Sequence, residues 1–183
     1  MSKLTRQELS EIYDLFDLDE NNNYNFFVET GTYQGETILS MYPHFEKSFT
    51  IELSEKFYSE FNKKDYDKTK LQSLFGDSST VIKEVIPNLN NKTIFFLDCH
   101  YSSCGTAKGV KDVPLYEELE SINNLFPYEG IIIIDDLRLF GTNLSEDWSE
   151  IDTRKIINLL SSRLIKHVEI NDRLVIKLKN IEK

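Results

Sequence analysis

Two kinds of hydrophobic pattern alternate along the chain. Short apolar runs predict buried β-strands, and segments in which apolar residues recur every three or four positions predict amphipathic helices. The predicted strands are FFVET (26–30), FTIEL (49–53), LQSLFGD (71–77), TIFFLD (93–98), GIIIIDD (130–136), HVEI (167–170) and RLVIKLK (173–179). The predicted helices are 4–18, 35–45, 54–64, 79–89, 113–126 and 152–164.

Strands that alternate with helices predict an α/β fold with a mostly parallel sheet covered on both faces. Continuous apolar runs such as IIII (131–134) fit buried parallel strands. The last two strands are joined only by Asn171 and Asp172, which favours a tight antiparallel hairpin. The predicted fold is therefore a doubly wound, seven-stranded sheet whose last strand is antiparallel.

The chain is expected to form one domain. Its 183 residues suffice to bury a substantial core, and no Pro/Gly/Ser-rich linker divides them. Residues 1–25 are predicted to be an N-terminal helix and a connector, and 26–183 the core. Thr5 and Glu8 have the spacing of a capping box at the start of that first helix.

Composition and charge narrow the possible partners. The net charge of −10 argues against nucleic acid or an anionic membrane surface as the main partner. The sequence contains no apolar run long enough to span a membrane and no recognisable signal peptide. We therefore expect a cytoplasmic protein, in which Cys99 and Cys104 are reduced thiols.

Acidic residues stand at the ends of five successive predicted strands. In an open α/β sheet, ligands bind beyond the carboxyl ends of the strands. Like charges gathered at one edge are costly unless cations or hydrogen-bond donors meet them, so these acids point to a ligand site. They are Glu29, Glu52, Asp77, Asp98, Asp135 and Asp136.

The segment ETGTYQG (29–35) joins the first strand to its helix. Gly31 permits a sharp turn, and Gly35 lets the helix begin close to the strand or to a ligand. The first N–H groups of that helix would receive a carboxylate, and Glu29 would suit a cationic amine. A purely structural strand-to-helix turn explains the same residues equally well.

Two further acids also have two interpretations. Glu52 ends the second strand about twenty residues after the glycine turn, where an acid accepts hydrogen bonds from ribose hydroxyls. It would alternatively be a solvated strand end or a cap for the next helix. Asp77 and Ser78 would hold an adenine or cap the helix that follows them.

Together these motifs resemble class I S-adenosylmethionine-dependent methyltransferases over residues 26 to about 179. ETGTYQG is similar to the acid-x-Gly-x-Gly-x-Gly turn of that superfamily, with Tyr33 at the middle glycine. It is closer to E-T-G-(aliphatic)-(aromatic)-R-G of the macrocin-type sugar O-methyltransferases, with Gln34 at the arginine. LDCHYSS (97–103) followed by GIIIIDD resembles that branch's L-D-G-D-x-Y-x-S/T and later aspartate pair.

The resemblance implies a Rossmann-like fold, S-adenosylmethionine as methyl donor and a bound Mg²⁺. It makes Asp98, Asp135 and Asp136 the metal ligands, gives Asp98 a catalytic role, and places His100 where the branch has its general base. Three carboxylates suit Mg²⁺, which would stabilise the developing alkoxide. The implied donor-binding residues are Glu29, Thr30, Gly31, Thr32, Tyr33, Gly35, Thr37, Glu52, Asp77, Ser78 and Asp98.

The implied acceptor is a hydroxyl of a small molecule, a sugar or a nucleotide-linked sugar. Lys108 and Lys111 would meet a phosphate, or simply belong to a solvated loop. After the aspartate pair, Arg138, Phe140 and Trp148 would stack on a sugar ring. The N/D-P-P-Y/F signature of amino-directed methyltransferases is absent after the fourth strand, which disfavours N-methylation of bases. The resemblance separately implies a homodimer.

Two other functions remain open from the sequence. A hydrolase would use Cys99 or His100 with Asp135 and would have no affinity for the methyl donor. A catalytically silent module would keep the nucleoside pocket and never transfer a methyl group.

Overall fold

A computed structural model describes residues 3–18, 24–98, 111–144 and 146–181. The α-helices are α1 (Arg6–Leu15), α2 (Glu36–Met41), α3 (Glu55–Phe61), α4 (Ser78–Val85), α5 (Leu115–Leu125) and α6 (Thr153–Leu159). The strands are β1 (Phe26–Thr30), β2 (Lys47–Glu52), β3 (Leu71–Phe75), β4 (Thr93–Leu97), β5 (Gly130–Ile134), β6 (Leu164–Ile170) and β7 (Arg173–Leu178). Short 3-10 helices span Tyr42–His44, Ile86–Asn88 and Leu137–Leu139.

The strands form one seven-stranded sheet in the order β3-β2-β1-β4-β5-β7-β6. Strands β1 to β5 are parallel, and β7 lies antiparallel between β5 and β6. The strand order reverses between β1 and β4, which is where open α/β sheets form their ligand crevice. The doubly wound fold and the reversed last strand predicted from the sequence are confirmed.

Every predicted helix and strand is present, but several boundaries differ. The acids at 77, 98, 135 and 136 lie just beyond their strands rather than within them. Predicted helices 35–45 and 79–89 both finish as 3-10 turns that contain Pro43 and Pro87, which lack the N–H that a continuing α-helix needs. The sixth helix ends at Leu159, so β6 begins at Leu164 rather than at 167.

Each face of the sheet carries its own apolar core. One core joins the sheet to α4, α5 and α6, and the other joins it to α1, α2 and α3. Alternate residues of β1 belong to different cores: Val28 faces the first and Phe27 the second. Burial on both faces explains why the parallel strands appear in the sequence as continuous apolar runs.

Two local predictions at the ends of the chain are confirmed. The capping box forms at α1: the N–H of Glu8 donates to the Thr5 hydroxyl (3.2 Å), and the N–H of Thr5 donates to the Glu8 carboxylate (2.8 Å). Asn171 and Asp172 have φ of 50° and 63°, so the last hairpin turns through two left-handed residues. Within the described ranges, no helix is long and apolar enough to cross a membrane.

Candidate functional site

The predicted acids gather at the carboxyl ends of neighbouring strands, and we call this group the acidic rim (Glu29, Glu52, Asp77, Asp98, Asp135 and Asp136). The ends of β1, β4 and β5 are in register, since Thr30 pairs with Leu97 and Leu97 with Ile134. Burial raises the pKa of Asp98 well above its ordinary value, and the charges of Asp135, Asp136 and Glu29 raise it further. Acids far apart in the chain therefore share one electrostatic environment.

The glycine turn (29–35) contains three left-handed residues. Gly31, Tyr33 and Gly35 have φ of 87°, 46° and 75°. These are the three glycine positions of the acid-x-Gly-x-Gly-x-Gly pattern, so Tyr33 keeps the backbone shape that glycine would adopt more easily. The Tyr33 ring contacts Phe57, with ring centroids 4.6 Å apart, which helps to hold it there.

Glycine at position 35 is also required for space. A Cβ added there would lie 2.3 Å from Cε2 of Phe61, a ring that is fully buried in the second core. The start of α2 therefore packs closely against α3. The structural interpretation of Gly35 is sufficient on its own, and it leaves the turn free to serve a ligand as well.

Glu29 is buried and has partners within the protein. Its carboxylate accepts a hydrogen bond from the Thr50 hydroxyl (2.7 Å), which in turn lies 2.6 Å from the hydroxyl of Thr32. Burial raises the pKa of Glu29 to about 8, with a further contribution from the charge of Glu52. The hydrogen bond from Thr50 thus ties β1 to β2 through Glu29, and the contact of Glu29 with a donor amine stays a prediction.

Glu52 braces the glycine turn. One carboxylate oxygen accepts the N–H of Tyr33 and the other accepts the N–H of Ser54, both at 2.7 Å. Burial raises the pKa of Glu52, and these amide donors oppose that rise. The N–H groups of Leu53 and Thr32 oppose the rise as well, so the carboxylate faces four backbone donors, and the ribose contact of Glu52 stays a prediction.

Asp77 caps α4, as one of its two interpretations predicted. Its carboxylate accepts the N–H of Ser79 at 3.0 Å and the Ser79 hydroxyl at 2.6 Å. Ser78 is buried at the first position of this helix. The adenine contact predicted for Asp77 and Ser78 is not tested by these hydrogen bonds.

Sequence reasoning missed Glu118, a fully buried acid on α5. Burial raises its pKa to about 8, while the neighbouring hydroxyls of Ser78 and Thr30 oppose the rise. Glu118 therefore lies close to the end of β1 and the start of α4. Its place in the helical spacing Leu115, Glu118, Leu119 marks it as an inward-facing position occupied by an acid, a signal that could have identified it.

Sequence reasoning also missed Arg173, the first residue of β7. Its Nε lies 3.0 Å from Oδ1 of Asp135, and both side chains are buried. Burial raises the pKa of Asp135, and the positive charge of Arg173 opposes that rise. Because β7 runs antiparallel, its first residue meets the carboxyl end of β5, a position that only the strand order reveals.

The second acid of the pair has a different partner. Asp136 is left-handed (φ 59°) and buried, and its Oδ1 lies 2.6 Å from Nη1 of Arg138. The same guanidinium also pairs with Asp172 in the last hairpin turn. Arg138 is largely exposed and lies at the surface beside Asp136, and its contact with an acceptor stays a prediction.

The residues predicted to hold magnesium do not form a ligand set in this arrangement. Among the described residues, no three His, Cys, Asp or Glu side chains are placed to hold a metal ion. Carboxylate oxygens are suitable ligands for Mg²⁺, but Asp135 and Asp136 are each paired with a guanidinium. Magnesium is therefore not shown, and it stays a prediction from the sequence.

The remaining predicted site residues lie outside the described residues or outside the acidic rim. His100, Lys108, Cys99 and Cys104 are outside the described residues. Lys111 is described, and it forms an ion pair with Glu117 at the start of α5.

The stacking role predicted for Trp148 is wrong. Its side chain is buried in the first core and stacks on Phe140, with ring centroids 5.9 Å apart. The indole ring is buried among apolar side chains, so neither of its faces is accessible to a sugar.

Comparison with known proteins supports the fold. No family model and no curated protein matches the chain. The N-methyltransferase NodS from Bradyrhizobium japonicum superposes with a TM-score of 0.56 at 11% identity, covering 96% of this chain and 97% of that one. An S-adenosylmethionine-dependent methyltransferase from Clostridium acetobutylicum gives 0.55 at 15% identity, covering 95% and 98%.

A third match is the S-adenosylhomocysteine-bound methyltransferase PaMTH1 from Podospora anserina. It has a TM-score of 0.55 at 15% identity and covers 86% of this chain and 72% of that one. At such low identities the likeness shows the fold alone. The chain thus has the Rossmann-like fold of S-adenosylmethionine-dependent methyltransferases.

Proposed function

We propose that this protein is an S-adenosylmethionine-dependent methyltransferase that methylates a hydroxyl of a small molecule, a sugar or a sugar conjugate. The observation that carries this proposal is the glycine turn braced by Glu52 at the reversal of strand order. A turn with three left-handed residues, held by an acid from the next strand, suits a nucleoside-containing ligand.

The donor would lie along the rim from β2 to β4. Glu52 would accept the ribose hydroxyls, and Asp77 with Ser78 would face the adenine. Residues 29–33, Gly35 and Thr37 would surround the amino-acid end, and Asp98 would lie near the sulfonium. An acidic edge favours a cationic donor, since the sulfonium and amine charges offset the repulsion among the carboxylates.

Transfer requires a simple exchange of bonds. A lone pair of the acceptor oxygen attacks the methyl carbon, the sulfur–methyl bond breaks, and the sulfonium becomes a neutral thioether. The hydroxyl proton passes to a base, for which we propose His100, because imidazole accepts protons near neutral pH. The protein's main contribution is to align oxygen, carbon and sulfur.

An oxygen acceptor follows from the segment after β4. LDCHYSS (97–103) resembles the sugar O-methyltransferase motif and lacks the signature of amino-directed enzymes. Arg138 beside Asp136, together with Lys108 and Lys111 from the segment between β4 and α5, would contact a phosphate of a nucleotide-linked sugar. A cytoplasmic location and a homodimer also remain predictions from the sequence and its resemblance.

Calorimetry with S-adenosylhomocysteine tests donor binding. We expect the wild-type protein to bind it and Glu52→Gln to weaken binding about tenfold, because the amide removes the charged acceptor for the ribose and one acceptor that braces the glycine turn. Glu84→Gln is the matched control, since Glu84 is exposed on α4 away from the rim. Absence of binding to the wild-type protein would refute the proposed function.

Chelation tests the magnesium prediction separately. Methyl transfer to a panel of free and nucleotide-linked sugars would be measured before and after dialysis against a chelator, with Asp136→Asn as the variant. If magnesium acts at the rim, both treatments abolish transfer while S-adenosylhomocysteine still binds. Unchanged transfer after chelation would remove the metal from the mechanism, and donor binding without transfer to any sugar would favour a silent module.

A further inference from the structure

The side chain of Arg173 connects the two ends of the chain inside the protein. Its Nε lies 3.0 Å from Oδ1 of Asp135, and its Nη1 lies 2.7 Å from Oε1 of Glu8 in α1. The guanidinium also lies over the ring of Phe96, 5.6 Å from the ring centre. Only 1% of the arginine side chain is exposed.

A buried guanidinium is stable only when carboxylates and hydrogen-bond acceptors surround it. Arg173 meets this requirement by using two different N–H groups on two different carboxylates. Both oxygens of the Glu8 carboxylate have partners: Oε1 accepts from Arg173, and Oε2 accepts from the N–H and the hydroxyl of Thr5. Glu8 therefore serves both in the capping box of α1 and as the partly exposed partner of the buried Arg173.

This pair brings the start of α1 to the acidic rim. On its other side, the N–H of Leu4 donates to the hydroxyl of Thr37, which lies in the first turn of α2 directly after the glycine turn (3.2 Å). The start of α1 is thus joined to Thr37, on the proposed donor side, and to Arg173, which holds Asp135 on the proposed acceptor side.

We propose that Arg173 is a positioning residue of the methyl-transfer site. It fixes the carboxylate of Asp135 and, through Glu8, clamps the start of α1 (residues 4–8) against the rim, so that this segment forms a wall of the donor pocket. Arg173 itself contacts neither donor nor acceptor. The inference rests on the proposed function for the identity of the ligand.

The sharpest variant is Glu8→Gln. Glutamine still completes a capping box, so α1 keeps its cap, but the negative charge that faces Arg173 is lost. Glu11→Gln is the matched control, because Glu11 is on the same helix and its carboxylate accepts only exposed amide hydrogen bonds, from the side chains of Gln7 (3.2 Å) and Asn171 (3.4 Å). Arg173→Lys keeps the charge but replaces the two N–H groups that bind the two carboxylates with a single ammonium. Its affinity for S-adenosylhomocysteine should therefore lie between that of the wild type and that of Arg173→Met.

Two measurements decide the matter, both with S-adenosylhomocysteine as the probe. In calorimetry, Glu8→Gln should weaken binding about tenfold and Glu11→Gln by less than about twofold. In hydrogen exchange, saturating probe should slow the exchange of amides 6–9 in the wild type and in Glu11→Gln, and this protection should be lost in Glu8→Gln. A purely structural ion pair would not alter protection by the ligand.

Wild-type affinity together with wild-type ligand protection in Glu8→Gln would overturn the clamp. This outcome is distinct from failure of the proposed function, in which the wild type binds no probe. In that case the exchange rates of amides 6–9 without the probe still decide whether the clamp exists: equal rates in Glu8→Gln and Glu11→Gln would refute it. Arg173→Met is not needed for the decision, so its failure to fold would leave the test intact.

Discussion

At the scale of single residues, left-handed backbone positions differ in what surrounds them. Gly35 and Gly141 have nearly equal φ values of 75° and 74°, but an added Cβ meets Phe61 at the first and nothing within 4 Å at the second. The two positions therefore separate backbone strain from steric overlap within one protein.

We expect Gly141→Ala to lower the free energy of unfolding by about 1 kcal/mol, the cost of a left-handed alanine. Gly35→Ala should cost about 2–4 kcal/mol, because the buried Phe61 ring must also move. Denaturant unfolding of the two variants measures the difference. Equal losses would mean that the start of α2 can shift away from α3 without cost.

Glu118 should make stability depend on pH. Burial raises its pKa from 4.5 to about 8, so between these values the folded state keeps a proton that the unfolded state has released. The free energy of unfolding therefore falls as pH rises through this window. Glu29, whose pKa is also raised to about 8, contributes in the same direction.

Glu118→Gln should remove one of these contributions. Glutamine is neutral at every pH, so the variant should gain stability relative to wild type as pH rises from about 5 to about 8, by roughly 1–3 kcal/mol. Urea unfolding at both pH values gives the comparison. A constant difference between the two proteins would show that Glu118 is ionised in the folded state.

At the scale of elements, one arginine holds the end of α5. Arg163 donates from Nη1 to the carbonyls of Ile122 and Asn123, from Nη2 to that of Tyr128 and from Nε to that of Lys179. Carbonyls at a helix C-terminus lack partners within the helix. Arg163, the residue just before β6, supplies a donor to the Asn123 carbonyl and a second donor to that of Ile122, which also accepts the N–H of Phe126.

Replacing this arginine by an apolar residue should be costly. We expect Arg163→Met to lower the free energy of unfolding by about 2–4 kcal/mol, because buried carbonyls lose their donors. Arg154→Met, at an exposed site of α6, is the control and should change it by less than about 0.5 kcal/mol. Thermal unfolding of both variants would show the contrast, and similar midpoints would contradict the role assigned to Arg163.

The kind of each element was predictable because its signal is local. The isoleucines of β5 and the capping box of Thr5 and Glu8 lie within a few neighbouring positions, where periodicity and capping rules apply. The partners of Arg173 were not predictable, since Asp135 and Glu8 are 38 and 165 positions away. Such a pair depends on strand order, which no local pattern contains.

At the scale of the whole molecule, the acidic rim was predictable for a different reason. Parallel strands bring their carboxyl ends to one edge, so five predicted strands that end in acids imply one acidic site. What the sequence could not supply is the charge balance at that edge. Arg173 and Arg138 offset two of the acids, and they come from a strand start and a surface turn.

The two cores share one sheet, so the chain should unfold as a single unit. Trp148 is the only tryptophan and belongs to the first core, whereas α1 belongs to the second. We expect tryptophan fluorescence, far-UV circular dichroism and the exchange of α1 amides to report one common midpoint in denaturant. Separate midpoints would contradict the single-domain prediction for residues 1–183.

The position of β7 has a consequence for how the protein is made. This strand enters the sheet between β5 and β6, although it is the last strand in the chain. Residues 173–178 must therefore leave the ribosome before the isoleucine-rich edge of β5 can be covered. Until then, the nascent chain exposes an apolar strand edge that other chains can pair with. We therefore expect chaperones to bind the nascent chain at this exposed edge until the sheet is complete.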